Sequence, residues 1–215
     1  MGKSRNGIHG NWWGRTGNIV ARRSQNRSIY SIYQPLVNNP KTVAQQSQRQ
    51  KFGLLAAFAG KVGPWLKETF KTLDGYNAGV PYSAFIGYNL KAGDVITGTY
   101  PNQTIVFSAL DVSYGNVPLP TGIAAEANDH TVSVTWTDNS GEMGAETTDI
   151  AWMLVYNATK KRAIARMAND TRGTRRCEIQ YSNSWEGDTL HGYLVMLRPD
   201  KSDFSETYYL GDFEA

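Results

Sequence analysis

One cysteine, three histidines and no acidic residue before Glu68 set the first limits on this chain of 215 residues. Cys177 alone cannot form an intrachain disulfide, which suits a reducing compartment or a protein assembled inside a cell. No apolar run approaches the roughly 18 residues of a spanning helix, so no membrane span is expected. Met1-Gly2-Lys3-Ser4-Arg5 has no apolar stretch of the kind a secretory signal needs. Asn6 stands where the myristoylation pattern requires Ser or Thr. Without a secretory route the sequons at Asn102 and Asn157 carry little meaning.

Catalytic patterns are missing too. The chain has no Gly-x-Ser-x-Gly, Walker loop, His-Glu-x-x-His or Cys-x-x-Cys. His9 falls in a Gly-rich stretch, His130 in a turn and His191 on a strand, and none is set beside a nucleophile or a ligand cluster. Cys177 follows Arg175 and Arg176, whose charges favour a thiolate. Its alternation with Ile179 instead points it into a core. Asp138-Asn139-Ser140-Gly141-Glu142 offers oxygens but lacks calcium-loop spacing, and Gly141 fits a hairpin between strands. Asp200, Asp203 and Glu206 read as a solvated face. The expectation is a protein that is not an enzyme and needs no cofactor or metal.

The positive charge is concentrated at one end. Residues 1–67 carry eleven Lys and Arg, and residues 68–215 carry eleven more with all nineteen Asp and Glu. The formal +3 is therefore +11 − 8. A basic end of this kind meets something negative: nucleic acid, an anionic membrane or an acidic protein surface.

Four stretches follow in order: 1–37, a basic arm; 38–92, a helical segment; 93–118, connecting strands; and 119–215, a β-sandwich. In the arm, Ile19–Arg22 and Ser28–Tyr33 read as two strands of a hairpin around Ser24-Gln25-Asn26-Arg27. Thr42 and Gln45 have capping-box spacing, so a helix should run over Thr42–Ala59 with Val43, Phe52, Leu55 and Phe58 on one face. Further helices are expected over Pro64–Leu73 and within Gly79–Asn89. Asp94–Thr99 and Thr104–Leu110 read as strands.

Beyond Leu119 the pattern is that of a sandwich. Thr131–Trp136 alternates, with Val132, Val134 and Trp136 on one face. Ile150–Tyr156 is continuously apolar, as a strand covered on both faces would be. Arg162–Met167, Arg176–Tyr181, Leu190–Leu197 and Thr207–Leu210 complete about seven short strands. The fold class is α+β: a basic N-terminal hairpin, a helical segment and an all-β C-terminal module.

That module, from Leu119 to Phe213, resembles a fibronectin type III or immunoglobulin-like domain. Trp136 takes the place of the inward Trp, and Tyr193, after Trp185-Glu186-Gly187-Asp188, that of the corner Tyr. The whole chain resembles a family of proteins of similar length from gut-type bacteria and their phages. The likeness is carried by Met1-Gly2-Lys3, Gly14-Arg15-Thr16-Gly17-Asn18-Ile19-Val20 and Asn39-Pro40-Lys41-Thr42 with Gln45 and Arg49. It continues in Tyr88-Asn89-Leu90, Gly98-Thr99-Tyr100-Pro101, and Trp185 with Gly187-Asp188 and His191. It implies a shared architecture and a phage or mobile-element setting, and brings no activity or catalytic residue.

Partner-binding candidates are Trp12, Trp13, Arg15, Arg22, Arg23, Arg27 and Arg49. Adjacent Trp residues alternate faces in an extended chain, so one of the pair faces solvent or a partner. Arg can grip carboxylates or phosphates with two parallel hydrogen bonds. The expected role is a structural or assembly protein, part of a phage virion or similar particle, contacting other protein subunits as an oligomer. It would be cytoplasmic during assembly and particle-associated afterwards. The competing expectation is non-specific nucleic-acid binding by the same arm.

Overall fold

The computed structural model describes residues 3–4, 12–24, 27–36, 39–71 and 81–215. His9, Gln25, Asn26 and Leu73 lie outside the described residues. Two compact units are present, residues 1–42 and residues 43–215.

The first unit is an antiparallel sheet, not a two-stranded hairpin. It contains β1 (Lys3–Ser4), β2 (Trp12–Thr16), β3 (Ile19–Ser24) and β4 (Arg27–Ile32), paired in chain order. A lone hairpin is marginal in water, and β2 supplies a third strand of useful length. Gly17 opens the two-residue loop between β2 and β3 with φ of +58°, which such hairpin turns need at their first position. Trp-Trp-Gly-Arg-Thr has no polar–apolar alternation, so the pattern did not reveal this strand.

The second unit opens with α1 (Val43–Ala59), α2 (Gly63–Thr69) and α3 (Pro81–Ala92). Thr42 stands at the N-cap position of α1, as its spacing from Gln45 implied. Leu55, Phe58 and Ala59 are buried, but Val43 is 69% and Phe52 51% exposed. Only the last two turns of α1 therefore meet the core. Pro64 at the start of α2 suits a position whose N–H has no helical partner. Two residue pairs form β5 (Ile96–Thr97) and β6 (Thr104–Ile105), shorter than the expected strands. The chain then takes a 3₁₀ turn over Phe107–Ala109. Val95, Leu110 and Val112 enter the core instead of extending a ladder.

Seven strands make the sandwich. They are β7 (Thr121–Asn128), β8 (Thr131–Thr137), β9 (Ile150–Asn157), β10 (Arg162–Thr171), β11 (Arg176–Gln180), β12 (Thr189–Leu197) and β13 (Tyr208–Glu214). One sheet has the order β11-β8-β7 and the other β10-β9-β12-β13. Since β8 and β9 belong to different sheets, Asp138–Gly141 begins a crossover and not the expected hairpin. Asp138 accepts a hydrogen bond from the Ser140 amide at 2.9 Å there, which closes the turn.

β9 is buried along its whole length because both faces are covered. Ala151, Met153 and Val155 pack with Val132, Val134 and Trp136 inside the sandwich. Ile150, Trp152, Leu154 and Tyr156 pack with Phe58, Trp65, Leu66 and Phe85 of the helices. β12 divides in the same way, with Leu190, Leu194 and Met196 inward and Tyr193, Val195 and Leu197 toward the helices. The second unit thus has three layers: helices, a four-stranded sheet and a three-stranded sheet. Trp136 points inward and donates from Nε1 to the Arg172 carbonyl at 2.9 Å. Tyr193 departs from the corner role, because its hydroxyl donates to the Phe107 carbonyl at 3.0 Å on the helical side.

Candidate functional site

The N-terminal sheet separates its side chains by alternation. Gly14, Ala21 and Tyr30 stand opposite one another on β2, β3 and β4, as do Arg15, Val20 and Ser31. Trp12 belongs to the Tyr30 face, where their ring centroids lie 5.6 Å apart. Trp13, the next residue, takes the opposite face with Arg15, Arg22 and Arg27. Lys3 pairs with Trp13 on the neighbouring strand. The Arg15 guanidinium lies 3.4 Å from the Tyr33 ring centroid, and its Nε donates to the Gly17 carbonyl at 3.0 Å. These two contacts hold one cation over the face of an aromatic ring.

The pairing of β2 with β3 ends at Gly14 and Ala21, and Gly14 has a φ of +101°. Beyond that pair a hollow of about 390 Å³ opens, lined by Trp13, Gly14, Ala21, Arg22 and Arg23. Trp13 is 38% exposed, and Arg22, Arg23 and Arg27 are exposed. No carboxylate side chain exists anywhere in this unit to neutralise them. The sheet brings Trp13, Arg15, Arg22 and Arg27 onto one face and sends Trp12 and Arg23 to the other. Arg49 belongs to α1 in the second unit. Such a face can bind carboxylates or phosphates through its guanidinium groups and pack flat apolar groups on its rings.

Elsewhere the candidate reactive groups are held in structural roles. Cys177 is buried and its thiol is pushed up to about 12, first by burial and then by the neighbouring Asp170 carboxylate. It is not a nucleophile at neutral pH. The His191 ring stacks on Phe107 with centroids 4.2 Å apart, and Nδ1 shares a hydrogen bond with the Tyr209 hydroxyl at 2.8 Å. Burial lowers its pKa, against a smaller raising effect of the Asp212 carboxylate. Asp203 accepts from the Phe204 amide, and Asp200 from the Ser202 amide, each at 2.9 Å. Among the described residues no group of three or more His, Cys, Asp or Glu is placed to hold a metal. No helix among them is long and apolar enough to cross a membrane.

Two features escaped the sequence reading. One is Arg172, fully buried at the end of the sandwich, which donates to Asp149 Oδ2 at 2.9 Å, Asn139 Oδ1 at 2.6 Å and the Pro118 carbonyl at 2.6 Å. The other is an apolar cleft between α1, β6, the 3₁₀ turn and β9. Both draw residues from segments far apart in the chain, so no local spacing marks them.

The geometry defines an α+β protein with N-terminal strands, three helices and a C-terminal pair of antiparallel sheets. The chain belongs to a family of unknown function (DUF6266), whose model matches residues 11–211. A search of curated proteins found no match. Among solved structures it is similar to the fn3 domain of human collagen alpha-1(XX) chain, with a TM-score of 0.33 and 8% identity, over 48% of this chain and 89% of that one. It is also similar to the FN1–FN3 domains of chicken CNTN1, with a TM-score of 0.32 and 8% identity, over 46% of this chain and 32% of that one.

Proposed function

We propose that this is a non-enzymatic assembly protein that docks onto other protein subunits through the cationic, aromatic face of its N-terminal sheet. The observation that carries the reading is the face itself: Trp13, Arg15, Arg22 and Arg27 together, in a unit with no acidic residue. Trp and Arg are the residues enriched where binding energy concentrates, and the acidic residues 68–215 of another copy offer a complementary surface. Contact of a basic face with a different, acidic surface is heterologous and propagates into rings or filaments. The setting we favour is a phage virion or a similar multi-subunit particle, which the sequence resemblance supports.

Static light scattering of the full chain against protein concentration and salt tests this. Mass should rise with concentration at low salt and fall back as salt screens the contacts. A monomer under all conditions would refute the homomeric form. Nucleic acid is the second reading, favoured by the cation stacked on Tyr33 beside an exposed Trp. Fluorescence polarisation with random single-stranded DNA separates the two: steep salt-dependent binding at micromolar protein supports nucleic acid, and none removes it.

A further inference from the structure

The apolar cleft in the second unit has a volume of about 270 Å³. Its walls are Leu54, Ala57 and Phe58 of α1, Ile105 of β6, Phe107, and Tyr156 of β9. Three of these pack together as one aromatic wall: Phe58 lies 4.7 Å from Tyr156 and 6.5 Å from Phe107, and Phe107 lies 5.4 Å from Tyr156, between centroids. Lys61 and Lys161 also line the cleft, and no acidic side chain does. Neither lysine has a carboxylate partner among the described residues. By contrast Lys160, next in the same turn, is paired with Asp188 at 2.7 Å.

A buried amide lies beside the cleft. Gln103 lines the cleft and is only 5% exposed. Its Nε2 donates to Ser47 Oγ at 3.0 Å, but Oε1 has no hydrogen-bond partner. A buried acceptor without a donor is costly and rare in a native fold. Gln103 follows the tight turn at Gly98, where φ is +85° and a Cβ would come within 2.5 Å of the Asn102 carbonyl.

We infer that this cleft is a binding site for a small aromatic carboxylate. The ring system lies against the Phe58–Phe107–Tyr156 wall, between it and Leu54, Ala57 and Ile105, and the anion meets the ammonium groups of Lys61 and Lys161. The volume lies just below the roughly 300 Å³ at which small-molecule sites begin, so the ligand is no larger than a fused pair of rings. Lys61 and Lys161 are exposed at the rim, so they give the mouth of the cleft a positive charge that favours an anionic group there.

The test is calorimetric titration of the full chain with 2-naphthoate and with its neutral counterpart 2-naphthylmethanol. One saturable site for the carboxylate is expected, with the alcohol weaker by about tenfold. Lys61→Ala combined with Lys161→Ala should remove that preference and leave the alcohol unchanged. Ala57→Trp should fill the cleft and abolish both, with circular dichroism showing each variant folded. If a variant fails to fold, nuclear Overhauser contacts from naphthoate to the Ala57 and Ile105 methyls of the unaltered chain decide the matter. Their absence overturns the proposal. So does equal affinity for acid and alcohol, or binding that survives Ala57→Trp.

Discussion

Arg172 shows what one residue does when it is buried with its charge. Its guanidinium is fully enclosed and is answered by Asp149, Asn139 and the Pro118 carbonyl, while its own carbonyl receives the Trp136 indole. Asp149 is shared further with Arg198 at 2.8 Å. Arg172→Ala leaves buried Asp149 with Arg198 as its cationic partner and takes the donor from Asn139 and the Pro118 carbonyl, so it should cost about 3 kcal/mol in urea denaturation. Asp111 works in the opposite sense. Burial, with Glu206 and then Asp94 nearby, raises its carboxyl to about 6. A raised acid binds its proton more tightly in the folded state. It therefore opposes folding above about pH 6, and that penalty fades as pH falls toward the ordinary carboxylate value. Asp111→Asn should stabilise the protein by about 1 kcal/mol at pH 8, after allowing for the group's partial exposure, and by nothing near pH 4. Thermal melts across that range measure the difference.

At the level of elements, β9 joins the layers. Its even-numbered residues serve the helical core and its odd-numbered ones the sandwich core. Leu154→Ala and Met153→Ala remove buried volume from opposite faces of one strand. Each should cost about 2–5 kcal/mol. Each should also shift a single transition, seen at the same midpoint by far- and near-ultraviolet circular dichroism. Separate midpoints would mean that the helices and the sandwich fold independently. This strand was legible in the sequence, because a seven-residue apolar run with no polar side has to be covered twice. The reach of α1 was not. Phe52 is as apolar as Phe58, but it lies nearly two turns earlier, where the helix has no core beneath it. The N-terminal sheet was half legible: β3 and β4 flank the polar turn at Ser24–Arg27, whereas β2 is a strand because β3 pairs with it.

For the whole molecule, the charge asymmetry and the division at residue 42 suggest that docking and stability are separable. We expect residues 43–215 alone to fold with nearly the melting temperature of the full chain while losing salt-sensitive association. Circular dichroism and light scattering on that fragment check both halves. Loss of fold on truncation would instead place the N-terminal sheet among the supports of the body. In the full chain, replacing Arg15, Arg22 and Arg27 with Gln should reduce association, whereas Arg23→Gln on the opposite face should change it little.

Local chemistry determined much of this protein by itself. The absence of acids before Glu68, the alternation in β8 and β11, the apolar run of β9 and the start of α1 all depend on residues a few positions apart. Short-range spacing is enough to show them. Which face Trp13 shares with which arginines depended on strand register. Tyr193 reached Phe107, Arg172 found Asp149, and Phe58, Phe107 and Tyr156 met around one cleft only through tertiary packing. Those partners lie tens of residues apart, and their meeting follows from how the layers stack.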